Sequence, residues 1–221
     1  ASCSSRTCSP TRAEAALSNA HRKLEDIIEF LPDATFVIDQ DRKVIAWNHA
    51  LEVMTGTTKQ EVLGQGDSAY AVPFYGQRRP ILIDLVGLDP GEIGPEYCNV
   101  RKLGATLIAE AQVPLLREGR GAFIWIAASP LLDSQGAIVG AIESVRDITD
   151  LKQTEQALVA AEEKYRDVVS HATEAIAVIQ DGHIRFANPA MERGLGVRSS
   201  ELLNHQFIDF IHPDDRALLM E

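Results

Sequence analysis

Residues 32–48 read PDATFVIDQDRKVIAWN. Ala34–Asp39 is a short apolar run, Gln40-Asp41-Arg42 is polar turn chemistry, and Val44–Trp47 is apolar again. This pattern predicts a β-hairpin. Asn48 follows, where the apolar run gives way to a helical stretch, so it is a candidate N-cap whose side-chain oxygen accepts from the first free helical N–H groups. Thr57-Thr58 then stands before a second short helix, with Glu61 in its first turn, where a carboxylate suits a helix N-terminus.

The same text recurs further on. From Thr173 the chain reads TEAIAVIQ, an offset of 141 from Pro32; Asp181-Gly182 forms a shorter turn, after which the offset is 140. Val44–Asn48 then matches Ile184–Asn188, Gly56 matches Gly196, Glu61 matches Glu201 and Leu63 matches Leu203. Asn188 is thus a second N-cap candidate, and Ser199-Ser200 precede a second SSELLN helix. A one-residue slip confined to a turn is what two copies of one fold would show, because turns tolerate length changes.

The first copy continues. Thr106–Leu116, Gly121–Pro130 and Ala137–Val145 each read as strands, with Asp133–Gly136 as a turn, predicting an antiparallel meander. Copy one is therefore read as β-β-α-α-(α)-β-β-β over about residues 24–149, an α+β domain with one five-stranded antiparallel sheet and its helices on one face. Phe36, Ile38, Ile45, Trp47, Phe123, Trp125, Ile142 and Val145 are its expected interior. The stretch PGEIGPEYCNVRKLG, which contains Cys98, reads as a loop.

At this point the sequence resembles the PAS domain family. The resemblance rests on FLPDATFVIDQDRKVIAWNHALEVMTG at 30–56 and ASPLLDSQGAIVGAIESVRDIT at 128–149, which ends in the family's Asp-Ile-Thr signature at Asp147–Thr149. A further part is EKYRDVVSHATEAIAVIQDGHIRFANPAMERGLGVRSSELLN followed by FIHPDDR. It implies a PAS fold and divides the chain into a tail (1–12), an amphipathic helix (13–31), a complete PAS domain (32–149), a linker helix (150–169) and the N-terminal half of a second copy (170–221). The second copy stops opposite Ile81 of the first, and the chain begins with Ala, so it is expected to be a piece of a longer protein. The resemblance further implies a cytoplasmic sensor module of a bacterial or archaeal two-component phosphorelay, ahead of a histidine kinase. A diguanylate cyclase or transcription regulator as the output domain, or a ligand-free dimerisation unit, is the alternative.

The flanking stretches suit that role. Leu17, Ala20, Leu24, Ile27 and Leu31 step by three and four, as do Leu151, Thr154, Leu158, Ala161, Tyr165 and Val168. This is the a/d rhythm of a coiled-coil seam, and predicts a homodimer in which Asp147, Thr149, Leu151 and Leu158 relay the signal.

Composition excludes other classes. The chain has 221 residues, 45% hydrophobic and 24% charged, with net charge −11. Such an acidic chain lacks the footprint for nonspecific nucleic-acid binding and has no polybasic segment for an anionic membrane. No apolar run approaches the roughly 18 residues of a membrane span. Cys3, Cys8 and Cys98 make neither a disulfide framework nor a metal site. No phosphate loop or ATP-lid signature is present, Gly64-Gln65-Gly66 is a bare loop motif, and neither His21 nor His171 has the context of a phospho-acceptor, so no enzymatic activity is expected.

For the pocket that the resemblance implies, Phe36, Ile38, Trp47, Tyr75, Arg78, Arg79, Phe123 and Trp125 are the candidate lining residues. Arg78 and Arg79 would suit a small anionic metabolite. Flavin-binding relatives carry an Asn-Cys-Arg-Phe run where this chain reads GQGDSAYAVPFYG. Haem-binding relatives carry a His where it reads QRRPILIDLV, and both cofactors are disfavoured. His212, in IHPDD, reads as a capping or packing residue.

Overall fold

The 32–48 stretch folds as β1 (Ala34–Asp39) and β2 (Val44–Trp47), an antiparallel hairpin with Phe36 opposite Trp47. The computed structural model describes residue 19, residues 22–23 and residues 25–214. The expected 1–12 tail, Cys3, Cys8, His21 and the seam positions Leu17, Ala20 and Leu24 lie outside the described residues. These divide into two compact units, split between Lys152 and Gln153.

In the first unit the chain leaves β2 through Asn48 into helix α1 (His49–Thr55), which ends on Gly56 at φ +71°. That left-handed value favours glycine. Helix α2 (Lys59–Val62) follows, with Glu61 accepting from the Thr58 N–H at 2.7 Å. Short turns and helix α3 (Val72–Tyr75) lead on, and a 3-10 turn at Leu82–Leu85 lies against the sheet. The remaining strands are β3 (Tyr97–Leu103), β4 (Thr106–Val113), β5 (Ala122–Leu132) and β6 (Ile138–Asp147). The sheet order is β2-β1-β6-β5-β4-β3, every pair antiparallel.

The sheet therefore has six strands, not the five expected. β3 escapes a reading by alternation because only Tyr97, at its start, is buried, and a register shift between Cys98 and Arg101 breaks its period. It is an edge strand with Arg101 and Lys102 exposed, a common way to blunt an unpaired edge.

The interior also differs from expectation on β5 and β6. Ala122, Ile124, Ile126 and Ala128 face the core, while Phe123 and Trp125 are half-buried on the other side. Both faces of this strand are apolar, so hydrophobicity does not choose between them. The core takes the non-aromatic face, two alanines and two isoleucines, beside the rings of Tyr70, Phe74 and Tyr97. Ile142 and Val145 cannot share a face at the two-residue period of a strand. Val145 is buried and Ile142 lies on the outer side with Val37 and Ser129. Ile45 is 55% exposed because the hairpin register shifts beside it. Phe36, Ile38 and Trp47 are core residues as expected, Phe36 meeting the rings of Trp47 at 5.6 Å and Tyr70 at 5.4 Å.

Helix α4 (Thr149–His171) crosses the division between the units. In the second unit, β7 (Ala177–Gln180) and β8 (His183–Ala187) form a two-stranded sheet, followed by α5 (Pro189–Leu195) and α6 (Ser199–Leu202). Its small core gathers Ile184, Ala187 and Leu202.

The two asparagines do more than cap. The Asn48 oxygen accepts from Leu51 N–H at 3.0 Å and from Thr35 N–H at 2.9 Å, and its amide donates to the carbonyls of Leu31 and Asp33. Asn188 repeats this with Met191, Ile176, Val169 and Glu174. Losing a cap costs about 1 kcal/mol and orphaning a buried N–H about 1–3 kcal/mol, so Asn48→Ala should destabilise the first unit by about 2–4 kcal/mol. Both tryptophans of the chain, Trp47 and Trp125, lie in that unit. In urea melts followed by tryptophan fluorescence, Asn48→Ala should lower the midpoint and Asn188→Ala should leave it in place.

Candidate functional site

Between the inner face of the sheet and its cover lies a small chamber of about 10 Å³, lined by Phe74, Tyr75, Ile81, Tyr97, Ile124, Ile126 and Glu143. That volume is roughly enough for one water molecule. β6 brings Glu143 here. It pairs with Phe36 on one side and Ala128 on the other, both inward-facing. β3 contributes Tyr97 and α3 contributes Phe74 and Tyr75.

Glu143 is 2% exposed. The Ile83 backbone N–H donates to its carboxyl, but its Oε2 has no hydrogen-bond partner. Burial, with Asp84 adding repulsion, pushes its pKa up to about 8, against the bond from Ile83. Tyr97 is 6% exposed and its hydroxyl is likewise unpartnered, although the Tyr75 hydroxyl is a close neighbour. Burial raises both phenols above their ordinary value; the charge of Arg79 works against this and the negative charge of Glu143 with it. Two buried polar atoms thus lack partners in one apolar chamber. Such groups are rare in folded proteins because each forfeits its hydration without replacement.

A second buried acid sits nearby but is satisfied. Asp84 accepts from the Tyr70 hydroxyl and from Ile81 N–H at 2.9 Å, and Arg42 lies 3.3 Å away.

The expected pocket residues fall in three places. Phe36, Ile38 and Trp47 belong to the inner core; the Trp47 indole N–H donates to the Thr57 carbonyl. Tyr75 lines the chamber. Arg79 reaches Glu96 at 2.9 Å with its guanidinium 4.9 Å over the Tyr75 ring, and Arg78 holds Asp67 and the Gly66 carbonyl at the surface. Phe123 and Trp125 stand on the opposite face of the sheet, with Arg146 5.8 Å over the indole. Tyr97 and Glu143 are the residues that sequence reading missed. A signal for Glu143 was present, since placing Val145 inward places residue 143 inward too.

The four relay positions divide at the end of β6. Asp147 accepts from Arg117 at 2.8 Å and from Thr149 N–H at 2.8 Å. Burial alone would raise its pKa, but these bonds hold it below the usual carboxylate value. The Thr149 hydroxyl accepts from Phe123 N–H at 2.9 Å, the Ile148 N–H donates to the Phe123 carbonyl at 2.8 Å, and Arg117 also bonds Asp150 at 2.7 Å. The first turn of α4 is therefore tied to β5 and to the turn before it. Leu151 and Leu158 are exposed on α4, as are Tyr165 and Val168.

A raised carboxyl pKa makes stability fall with pH. Between 4.5 and about 8 the folded chain keeps a proton on Glu143 that the unfolded chain has released, so stability declines by up to about 1.4 kcal/mol per pH unit. From pH 5 to pH 8, urea melts of the wild type should lose on the order of 3 kcal/mol more than those of Glu143→Gln. Parallel pH curves would show that Glu143 is not protonated inside the fold.

Among known proteins, a PAS-fold family model (PAS_4) matches residues 28–153 and a second PAS-fold model (PAS) matches residues 163–221. No curated protein is matched by the chain. Among solved structures, the chain is similar to the PAS domain of BvgS from Bordetella pertussis, at 19% identity over 65% of this chain and 98% of that one, with a TM-score of 0.42. It is also similar to the PAS domain of an HTR-like protein from Haloarcula marismortui, at 20% identity over 63% of this chain and all of that one, with a TM-score of 0.39. An RNA-binding light-oxygen-voltage receptor matches at 16% identity over 71% of this chain and 41% of its own length, with a TM-score of 0.47. With a PAS-fold model covering more than half its length, the chain belongs to the PAS family.

Proposed function

We propose that this chain is the non-enzymatic sensory part of a cytoplasmic signalling protein. A small ligand enters the chamber at Glu143 and Tyr97, and its presence is passed along β6 into α4 and on to an output domain, a histidine kinase in our reading. The observation that carries this is the joining of two features on one strand. Glu143, with an unpartnered oxygen, lies four residues before Asp147, the acceptor that ties β6 to Arg117 and to the start of α4. A diguanylate cyclase or a transcription regulator as the output domain would use the same relay.

The cover of the chamber suits a gated site. It consists of the four-residue helix α3, which brings Phe74 and Tyr75, and of Ile81 at the start of the turn Leu82–Leu85, rather than long helices. Segments with few backbone bonds open more readily than sheet. Among the described residues no helix is long and apolar enough to cross a membrane.

On α4, Leu151, Leu158 and Tyr165 recur every seven residues and are 57%, 67% and 75% exposed. An apolar stripe at heptad spacing is covered when two such helices meet as a coiled coil. Leu158→Glu would set two like charges face to face in that seam. Sedimentation should show a wild-type dimer at micromolar concentration and a monomeric Leu158→Glu whose first unit stays folded. A wild type already monomeric, or a variant as dimeric as wild type, would remove α4 as the dimer contact. Native mass spectrometry of the protein as purified should show extra mass that unfolding releases. Its absence, with no ligand found to add it, would favour the ligand-free dimerisation unit.

A further inference from the structure

We propose that Glu143 is a proton-operated latch on the cover of the chamber. With a neutral carboxyl it holds the turn Leu82–Leu85 against β6, and with an ionised one it releases that turn to water. The latch concerns access to the chamber, and it stands whether or not a ligand enters.

The latch is one bond between a fixed element and a movable one. Ile83, in the turn, donates its N–H to the Glu143 carboxyl. Glu143 sits on β6, which is paired with β1 along one edge and β5 along the other, so the strand is the fixed side. A 3-10 turn has few and poorly aligned backbone bonds of its own. Here Asp84 N–H donates to the Ile81 carbonyl and the Asp84 carboxylate accepts from Ile81 N–H, both at 2.9 Å. Leu82 and Ile83 are buried, which keeps the turn shut while Glu143 is neutral.

The groups facing Glu143 decide how it responds to charge. β3 brings Tyr97 and α3 brings Tyr75, both phenols whose pKa burial raises. The turn brings Asp84, which repels a charged Glu143 and is itself paired with Arg42. Beyond the phenols, Arg79 and Glu96 hold each other. β1 and β5 present Phe36, Ala128, Ile124 and Ile126, all apolar. An ionised Glu143 would therefore have the Ile83 N–H, the Tyr97 hydroxyl and space for about one water. A carboxylate that loses its hydration needs more than that, and opening the turn supplies it.

Linkage fixes the direction. In the closed form Glu143 titrates at about 8, a value that already includes the pull of the Ile83 bond toward the charged state. Open to water, it titrates near 4.5. Between the two the open form holds one proton fewer, so its population rises with pH by up to about tenfold per unit.

The test is native-state hydrogen exchange on the whole 221-residue chain, between pH 6 and pH 8 and at low urea. After correction for intrinsic rates, the Ile83 and Asp84 amides should lose about ten- to a hundredfold in protection across that range. They should do so through openings that urea does not promote, whereas the amides of β6 exchange through openings that it does. Glu143→Gln keeps the shape of the neutral side chain and an acceptor for Ile83, so it should fold and show cover protection independent of pH. Tyr97→Phe should keep the wild-type pH dependence, because that phenol stays protonated throughout. In the wild type the carbon-13 signal of the Glu143 carboxyl should titrate near 8, a measurement that needs no variant. Cover protection unchanged between pH 6 and pH 8, the same pH dependence in Glu143→Gln, or cover and β6 amides opening together with one urea dependence would each overturn the latch. None of these touches the chamber as a sensory site, which stands or falls on the added mass.

Discussion

One amide group sets the frame of each copy. Asn48 is fully buried and spends its side chain on four backbone groups: two N–H donors at the starts of β1 and α1, and two carbonyls of the segment leading into β1. A carboxylate of the same shape lacks the donors, and a hydroxyl lacks the reach. Fixing β1 against α1 in this way leaves its far edge to pair with β6 through six consecutive residues, Ala34–Asp39. That pairing is close. A Cβ at Gly140 would collide with the Ile38 carbonyl, so only glycine lets β6 lie where it does. The position of Glu143 opposite Phe36 follows from this register.

The two buried acids of the first unit show what the rest of the fold supplies and what it leaves out. Asp84 faces a phenol, a backbone N–H and a guanidinium, the set of donors that a carboxylate at the edge of a core requires. Glu143 faces one backbone N–H and otherwise hydrocarbon and phenol oxygens. Burying a carboxyl on such terms costs several kcal/mol if it is charged, and the chain avoids this by keeping the proton. A protonated acid in the middle of a central strand contributes less to stability than a leucine of similar size would. Its place is understandable if a guest completes it.

Much of this was legible in the residues. The hairpin, its repeat and both N-caps follow from apolar runs, turn chemistry and Asn at matching offsets. The repeat extends to bonds no pattern displays: Gly64 N–H donates to Val44 as Asn204 N–H does to Ile184. β3 was illegible because an exposed edge strand with a register break has no period to read. The facing of β5 was illegible for the opposite reason, since AFIWIAAS is apolar on both sides. Choosing the aromatics for the core assumed that large residues go inside. Here the large rings come from Tyr70 and Phe74 in the cover and from β1, β2 and β3, and β5 turns alanine and isoleucine inward. The chamber was missed with them, because it forms where β3, β6 and an irregular cover meet, and such a meeting is a property of the fold rather than of any one segment.

Strand β6 has little freedom to absorb a change. It is held by β1 on one side and β5 on the other, and Arg146 adds a two-pronged bond to Asp33 at 3.0 and 2.6 Å. A strand paired along both edges does not bend locally, because bending would break ladder bonds on both sides. A guest that seats against Glu143 therefore moves the cover or moves the strand as a whole. If the cover moves, the turns above the chamber relax and nothing reaches α4. If the strand moves, Asp147 moves with it, and Arg117 carries the shift to Asp150 in the first turn of the helix. The close approach at Gly140 bears on the choice, because it blocks β6 from sinking further toward β1. Sliding along its own axis would shift the register with both neighbours, so a movement that reaches Asp147 carries β1, β6 and β5 together.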